Sequence, residues 1–258
     1  MRPRGTAPVA AALAALGALF ILLPGIGLLA RTPWRDLPER LASGVVADAA
    51  RISLVVATGA AGLAALLGLP LAWVLARVPF PGRALLRSLV LLPLVLPPVV
   101  AGIGLLAAFG RRGILGRPLA TLGVELPFTT AAAVLAAAFV AFPLFVLAVE
   151  AGIRSLDARL EDAAATMGAS RWYALRRVVL PLLRPSLSSG LALAWARALG
   201  EFGATIMFAG NLRGRTQTLP LAAFEVAQTD PGGGVAIALV LVGISVAVLV
   251  VLRGRLFR

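Results

Sequence analysis

The sequence predicts an all-α, polytopic membrane protein with six transmembrane helices. Three observations predict it. Of 258 residues, 60% are hydrophobic and only 14% are charged, with a mean hydropathy of +0.98, whereas soluble domains carry about 25% charged residues. The apolar residues fall into six runs, each near the ~20 residues that a helix needs to cross a hydrocarbon core of ~30 Å. All 24 basic residues are Arg, and most of them flank these runs.

The runs cover approximately residues 9–30, 52–76, 89–109, 129–149, 187–209 and 235–252. The first follows Arg2 and Arg4 and is long, with no small-x-small cleavage site before Arg31, so it reads as an uncleaved span rather than a secretory signal. Between the first two runs, residues 32–42 place Trp34, Leu37 and Leu41 at helical spacing, as in a short interfacial helix. In the third run Pro93, Pro97 and Pro98, with Gly102 and Gly104, interrupt the helical ladder. Such a break is either a packing kink or part of a cavity lining. Pro231 and the three glycines that follow read as a flexible lead into the last run.

Six spans put both termini on one side of the membrane. More arginines fall on that side than opposite, and the loop between the fourth and fifth runs alone holds Arg154, Arg159, Arg171, Arg176, Arg177 and Arg184. The positive-inside rule then makes both termini cytoplasmic, in a multi-pass protein of the cell (inner) membrane. With no internal repeat and no long linker, residues 1–258 form a single transmembrane domain.

Composition excludes several chemistries. With no Lys there is no phosphate-binding loop of the G-x-x-x-x-G-K-[ST] type, so the chain has no ATPase site of that kind. With no His and no Cys there is no ordinary zinc site, no Ser-His or Cys-His nucleophile, no disulfide and no haem ligand. No metal, no cofactor and no catalytic residue is expected. The net charge of +13 would suggest nucleic acid for a soluble chain, but arginines flanking spans point to membrane lipid instead, and no nucleic-acid partner is expected.

The cytoplasmic loop, residues 152–185, is too polar to span and too well patterned to be disordered. Asp157 can cap a helix running through Met167, with Gly168 at a left-handed C-cap position. Ser170 can cap a second helix, residues 171–180, stopped by Pro181, with Trp172, Leu175 and Val179 as its apolar stripe. From periodicity alone this is either a hairpin snorkelling its arginines into headgroups or a knob on which a soluble partner docks.

Asp162-Ala163-Ala164, then Gly168, then Val178-x-Leu180-Pro181 resembles the EAA loop of ABC importer permeases. Asp162 stands where that pattern has Glu, with Glu161 just before it, and Val178 replaces Ile. The resemblance implies a type I ABC importer permease fold, with Glu161, Asp162, Ala163, Ala164, Gly168, Leu180 and Pro181 forming the loop that couples to an ATPase subunit. The small alanines would leave a flat face for close packing.

In the fifth run Arg197 and Glu201 form an i, i+4 pair at membrane depth, where ionisable groups are costly unless paired or wet. Either they neutralise one another and lock the helix in place, or Arg197 faces a pathway and attracts an anion, its charge softened so that the anion can leave. Gly200 and Gly203 invite close helix approach, which fits a dimer interface. The stretch from Gly200 through Asn211, with Arg215-Thr216-Gln217-Thr218-Leu219-Pro220-Leu221, closely resembles the molybdate permeases among oxyanion importers, as do residues 96–102 and 110–116. It departs at Leu212-Arg213-Gly214, where relatives often have Ile-Pro-Gly.

What this resemblance implies is a homodimer, two ABC ATPase subunits and an extracytoplasmic molybdate-binding protein, with the chain itself no enzyme but the permease that carries molybdate. Pro97, Pro98, Arg197, Glu201, Thr205 and Met207 are the expected translocation path or gate. Sulfate or tungstate are alternative cargoes within the same fold. An ion-coupled secondary transporter would want a relay of membrane-embedded carboxylates, and Glu201 is the only one placed well inside the runs. An intramembrane hydrolase would want a His or paired aspartates.

Overall fold

A computed structural model describes residues 7–157 and 159–256, with side chains described except at 7, 161, 162, 165, 171, 249 and 251–256. Its elements, in chain order, are α1 (Ala7–Arg31), α2 (Leu37–Leu41), α3 (Gly44–Arg77), α4 (Arg83–Val95), α5 (Pro98–Phe109), α6 (Gly116–Thr121), α7 (Thr130–Ser155), α8 (Arg159–Thr166), α9 (Arg171–Ala174), a π-helical turn (Leu175–Val179), α10 (Leu180–Leu199), α11 (Gly203–Phe208), α12 (Leu219–Ala227) and α13 (Pro231–Leu256). No strand occurs among the described residues.

The centre of the bundle is α7, which packs against both α3 and α10, while α10 also packs on α3. The apolar run of α7 is rich in alanine, and Ala132, Ala133, Ala136, Ala137 and Ala141 are fully buried. Where lipid supplies no hydrophobic contrast, small side chains hold helices together by letting their backbones approach. The largest side chain in this seam, Phe145, is fully buried. It fits because it faces glycines on both sides: a β carbon on Gly68 of α3 would lie 2.8 Å from its ring, and one on Gly190 of α10 would lie 3.2 Å away.

Among the described residues five helices are long and apolar enough to cross a membrane, or six if the bent pair α4 and α5 counts as one span. The expected span at 89–109 is therefore not a straight helix. It folds at Leu96 and Pro97 through 117°, because a residue before proline is driven to extended backbone, as at Leu96 (φ −65°, ψ 133°). The expected span at 187–209 is also corrected. Residues Trp172–Leu199 form the span, Gly200 ends α10, and α11 begins separately three residues later.

Pro181 does not stop the second loop helix. The ladder widens into the π turn just before it, with the Leu180 N–H donating to the Leu175 carbonyl. The missing N–H of Pro181 then falls in the first turn of α10, where proline is tolerated. The interfacial helix is shorter than expected, reduced to α2. Pro231 and its glycines are not a flexible lead but the first turn of α13. They are helical because Asp230 caps them, its Oδ1 accepting from the Gly233 N–H at 3.0 Å. The absence of side chains there lets α12 in closely, since a β carbon on Gly234 would lie 2.5 Å from Ala227 Cβ. Asp230 also pairs with Arg40, which ties α2 to the start of α13.

Candidate functional site

The expected gate residues lie around the break between α10 and α11. Arg197 Nη1 is 2.9 Å from Glu201 Oε2. The pair forms, but not along one helix face, because α10 ends at Leu199. Glu201 sits in the break, its side chain 2% exposed against 32% for Arg197. Its second oxygen, Oε1, accepts from the Ala204 N–H at 2.9 Å, so one buried carboxylate caps α11 and holds a half-buried guanidinium. The carboxylate replaces the i→i−4 acceptor that the chain loses by leaving the helix at Gly200.

α11 packs on α5 and α7. Its contact with α5 is made by backbone. A β carbon on Gly203 would lie 2.7 Å from Pro98 Cβ, and one on Gly102 would lie 2.6 Å from Met207 Cβ and 2.9 Å from the Ala204 carbonyl oxygen. Gly203 thus serves packing within the chain rather than an interface between copies, and Gly200, exposed, has nothing within 4 Å of its would-be β carbon. Pro98, Thr205 and Met207 are brought together by these contacts. Pro97 and Pro98 are exposed at the elbow, and Met207 is half-buried. Thr205 is fully buried and its Oγ1 meets no hydrogen-bond partner.

Beyond α11 the chain makes a compact polar turn. Leu212 carbonyl accepts from the N–H groups of Arg215, Thr216 and Gln217 at 2.8–3.0 Å, and Thr216 Oγ1 accepts from the Leu212 N–H at 2.9 Å. Ser53 of α3 caps α12 by accepting from the Leu219 N–H at 2.7 Å. Glu225 accepts from the side-chain amides of Asn211 and Gln217. The Thr-Gln-Thr-Leu-Pro stretch is thus a turn that fixes α12 against α3.

At the other end of α7 lies a cluster that sequence reasoning missed. Glu150 is 4% exposed and pairs with Arg87 of α4 and with Arg154 one turn along α7, at 2.9 Å. Arg87 Nη2 also reaches the Leu75 carbonyl at the end of α3, at 3.4 Å. The expected span stopped at residue 149, one short of this acid. A carboxylate abutting an apolar run, with Arg at i+4, was the available signal.

In the loop, Asp157 Oδ1 accepts from the Arg159 N–H at 2.9 Å and Ser170 Oγ accepts from the Tyr173 N–H at 3.2 Å, so both caps form. Gly168 has φ +83°, as the C-cap position requires. Ala163 is exposed and Ala164 buried, while the side chains of Glu161 and Asp162 lie outside the described residues. Leu180 and Pro181 are half-buried. The expected stripe divides: Val179 is buried, but Trp172 is exposed, with the Arg176 guanidinium 5.6 Å above its ring. Met167 (86%), Trp172 (65%) and Tyr173 (57%) leave a large apolar surface on this knob.

Residues 64–257 match the family described as the binding-protein-dependent transport system inner membrane component. The chain is 46% identical to the molybdenum transport system permease protein ModB of Mycobacterium tuberculosis, over 92% of this chain and 89% of that protein. Its identity to ModB of Escherichia coli is also 46%, over 72% of this chain and 84% of the relative. The sulfate transport system permease protein CysT of Escherichia coli is 37% identical, over 90% and 85% of the two chains. Among solved structures, a bacterial ABC transporter involved in the import of alginate matches with a TM-score of 0.70 at 19% identity, covering 98% of this chain and 94% of that one. A six-run helical chain broken at α4–α5 and at α10–α11, with a capped two-helix loop between α7 and α10, thus belongs to the binding-protein-dependent transport system inner membrane components, multi-pass permeases with the ABC importer fold.

Proposed function

We propose that this chain is the permease subunit of an ATP-driven molybdate importer, working as a homodimer with two ABC ATPase subunits and an extracytoplasmic molybdate-binding protein. The observation that carries the cargo is the 46% identity to molybdenum permeases over 92% of the chain, against 37% to a sulfate permease over a similar share. Residues 1–258 act as one permease domain with both termini cytoplasmic. The ATPase subunits dock on α8 and α9, where Met167, Trp172 and Tyr173 present apolar surface that the chain itself leaves uncovered. Glu161, Asp162, Ala163, Ala164 and Gly168 take part in that contact, with Leu180 and Pro181 carrying it into α10. ATP hydrolysis belongs to the partners, since no lysine is available for a nucleotide loop.

The gate is the contact of α5 with α11, bounded by Pro97, Pro98, Thr205 and Met207. Arg197 keeps donors beyond those used on Glu201 and offers a tetrahedral dianion a softened positive charge at membrane depth. Sulfate is the second reading, favoured by its own match. Uptake of labelled molybdate by vesicles holding the full complex, with excess sulfate or tungstate as competitor, separates them. No ATP-driven uptake of labelled molybdate, or uptake abolished by sulfate at equal concentration, would overturn the cargo.

A further inference from the structure

We infer that Arg87 and Glu150 are positioning residues that transmit movement of the α8–α9 loop to the α5–α11 contact. The inference rests on the importer reading above and extends it to residues which that reading does not use. Glu150 is the last buried acid of α7 before the chain leaves for α8, six residues ahead of the α7 C-cap at Leu156. Its carboxylate receives Arg87, the only link of this kind between α7 and α4 among the described residues. α4 passes through the elbow into α5, and α5 touches α11 through Gly102 and Pro98. One route from loop to gate therefore runs along the backbone from α8 into α7 and then through Glu150 and Arg87 to α4, α5 and α11, beside the direct packing of α7 on α11.

The start of α4 is braced against α3. Arg87 also holds the Leu75 carbonyl, and Arg83, one turn before it, holds the Ala76 carbonyl at 3.2 Å. The end of α3 and the start of α4 therefore move together. A buried carboxylate between two guanidinium groups resists separation, because parting it from either gives up one of the two contacts that compensate its charge in a poor solvent. Arg154 has a different place. It lies on α7 itself, at i+4 from Glu150, so it neutralises the acid without joining a second helix.

That difference supplies the test. Arg87→Gln cuts the link between helices while Glu150 keeps Arg154 as partner, so the fold is spared the unpaired buried charge. Arg154→Gln removes as much charge and leaves the link whole. In the reconstituted full complex, molybdate carried per ATP hydrolysed is expected to fall by about threefold or more in Arg87→Gln and to stay at the wild-type ratio in Arg154→Gln. A purely structural role lowers transport and hydrolysis together and leaves the ratio alone. An unchanged ratio in Arg87→Gln, or an equal fall in both variants, overturns the inference.

A second measurement is independent of the cargo. The chain has no native cysteine, and Val95 at the end of α4 (82% exposed) and Leu160 in the first turn of α8 (44% exposed) accept spin labels as cysteine variants. The distance between them is expected to change on nucleotide binding in the wild-type complex and in Arg154→Gln, and to lose that change in Arg87→Gln. A nucleotide response preserved in Arg87→Gln sinks the positioning role. A wild-type complex that shows the distance change yet carries no molybdate refutes only the cargo.

Discussion

Gly102 on α5 and Met207 on α11 approach so closely that a β carbon on the glycine would stand 2.6 Å from the methionine Cβ, nearer than real β carbons come. The neighbouring obstacle, the Ala204 carbonyl oxygen at 2.9 Å, is backbone and cannot swing away. Gly102→Ala must therefore push α11 off α5. The expected loss is roughly 1–3 kcal/mol, the usual cost of forcing extra carbon into a packed seam. Gly104→Ala, two residues on with nothing within 4 Å, is the control and is expected to be neutral or slightly stabilising. Thermal unfolding of the two variants in detergent measures the contrast, and equal midpoints would refute the tight seam.

Glu201 joins two tasks, so its replacements should rank. Glu201→Gln keeps an oxygen for the Ala204 N–H but leaves Arg197 without its counter-charge. Glu201→Ala removes both, and its destabilisation is expected to be larger, approaching the roughly 3–5 kcal/mol typical of breaking a buried pair, less an allowance for the partial exposure of Arg197. Removing Arg197 as well should recover part of the loss in the Ala variant. A double variant no more stable than Glu201→Ala would show that the pairing contributes nothing.

Gly168 turns the corner between α8 and α9 at φ +83°. Gly168→Asp or Gly168→Val is expected to cost roughly 1–2 kcal/mol locally, with Asp suffering less from backbone strain than Val. Both are expected to diminish ATP-driven uptake by displacing α9 from α8. Gly168→Asn, which tolerates this conformation best among side-chain-bearing residues, should retain most of the transport. Undiminished uptake in the Val variant would count against docking through this loop.

Asp230 holds the start of α13, and its carboxyl lies below the ordinary value of 3.8, chiefly because the Gly233 N–H donates to the charged form and then because Arg40 does. A depressed carboxylate stabilises the fold at pH values above its unfolded pKa and loses that contribution as pH falls through the folded one. The docking of α2 on α13 should thus be steady from neutral pH to about pH 4 and weaken only below it. Asp230→Asn should lack this acid-dependent component. Unfolding midpoints of the two proteins from pH 7 to pH 3, read as their difference, test the sign.

Much of this architecture is legible in the sequence because its strongest signal, apolar length, is local. The runs at 52–76 and 129–149 expand to Gly44–Arg77 and Thr130–Ser155, since helices continue past the hydrocarbon while caps remain to end them. What sequence hides is where a run stops being one helix. Arg197 and Glu201 at i, i+4 look like continuous helix, but a carboxylate that can cap the next turn lets the chain break between them at little cost. Glu150 and Arg87 stand 63 positions apart in sequence, and no periodicity foretells a pair of that kind. The caps at Asp157, Gly168 and Ser170 were readable because each acts within three residues of itself. The π turn was not, since it answers the missing donor of Pro181 by widening the helix rather than by ending it.

The elbow between α4 and α5 has one further meaning. α4 has 13 residues and α5 has 12, about 20 and 18 Å of helix, so neither limb alone bridges a hydrocarbon core of ~30 Å. An ordinary break at that depth would strand amide protons in a medium that cannot receive them. Pro97 and Pro98 carry none. The corner is built from two residues that have no amide proton to strand, and the same lack keeps them from joining α4 and α5 into one continuous helix. Room to bend lies instead at Gly200, which is exposed and has no neighbour within 4 Å of its would-be β carbon.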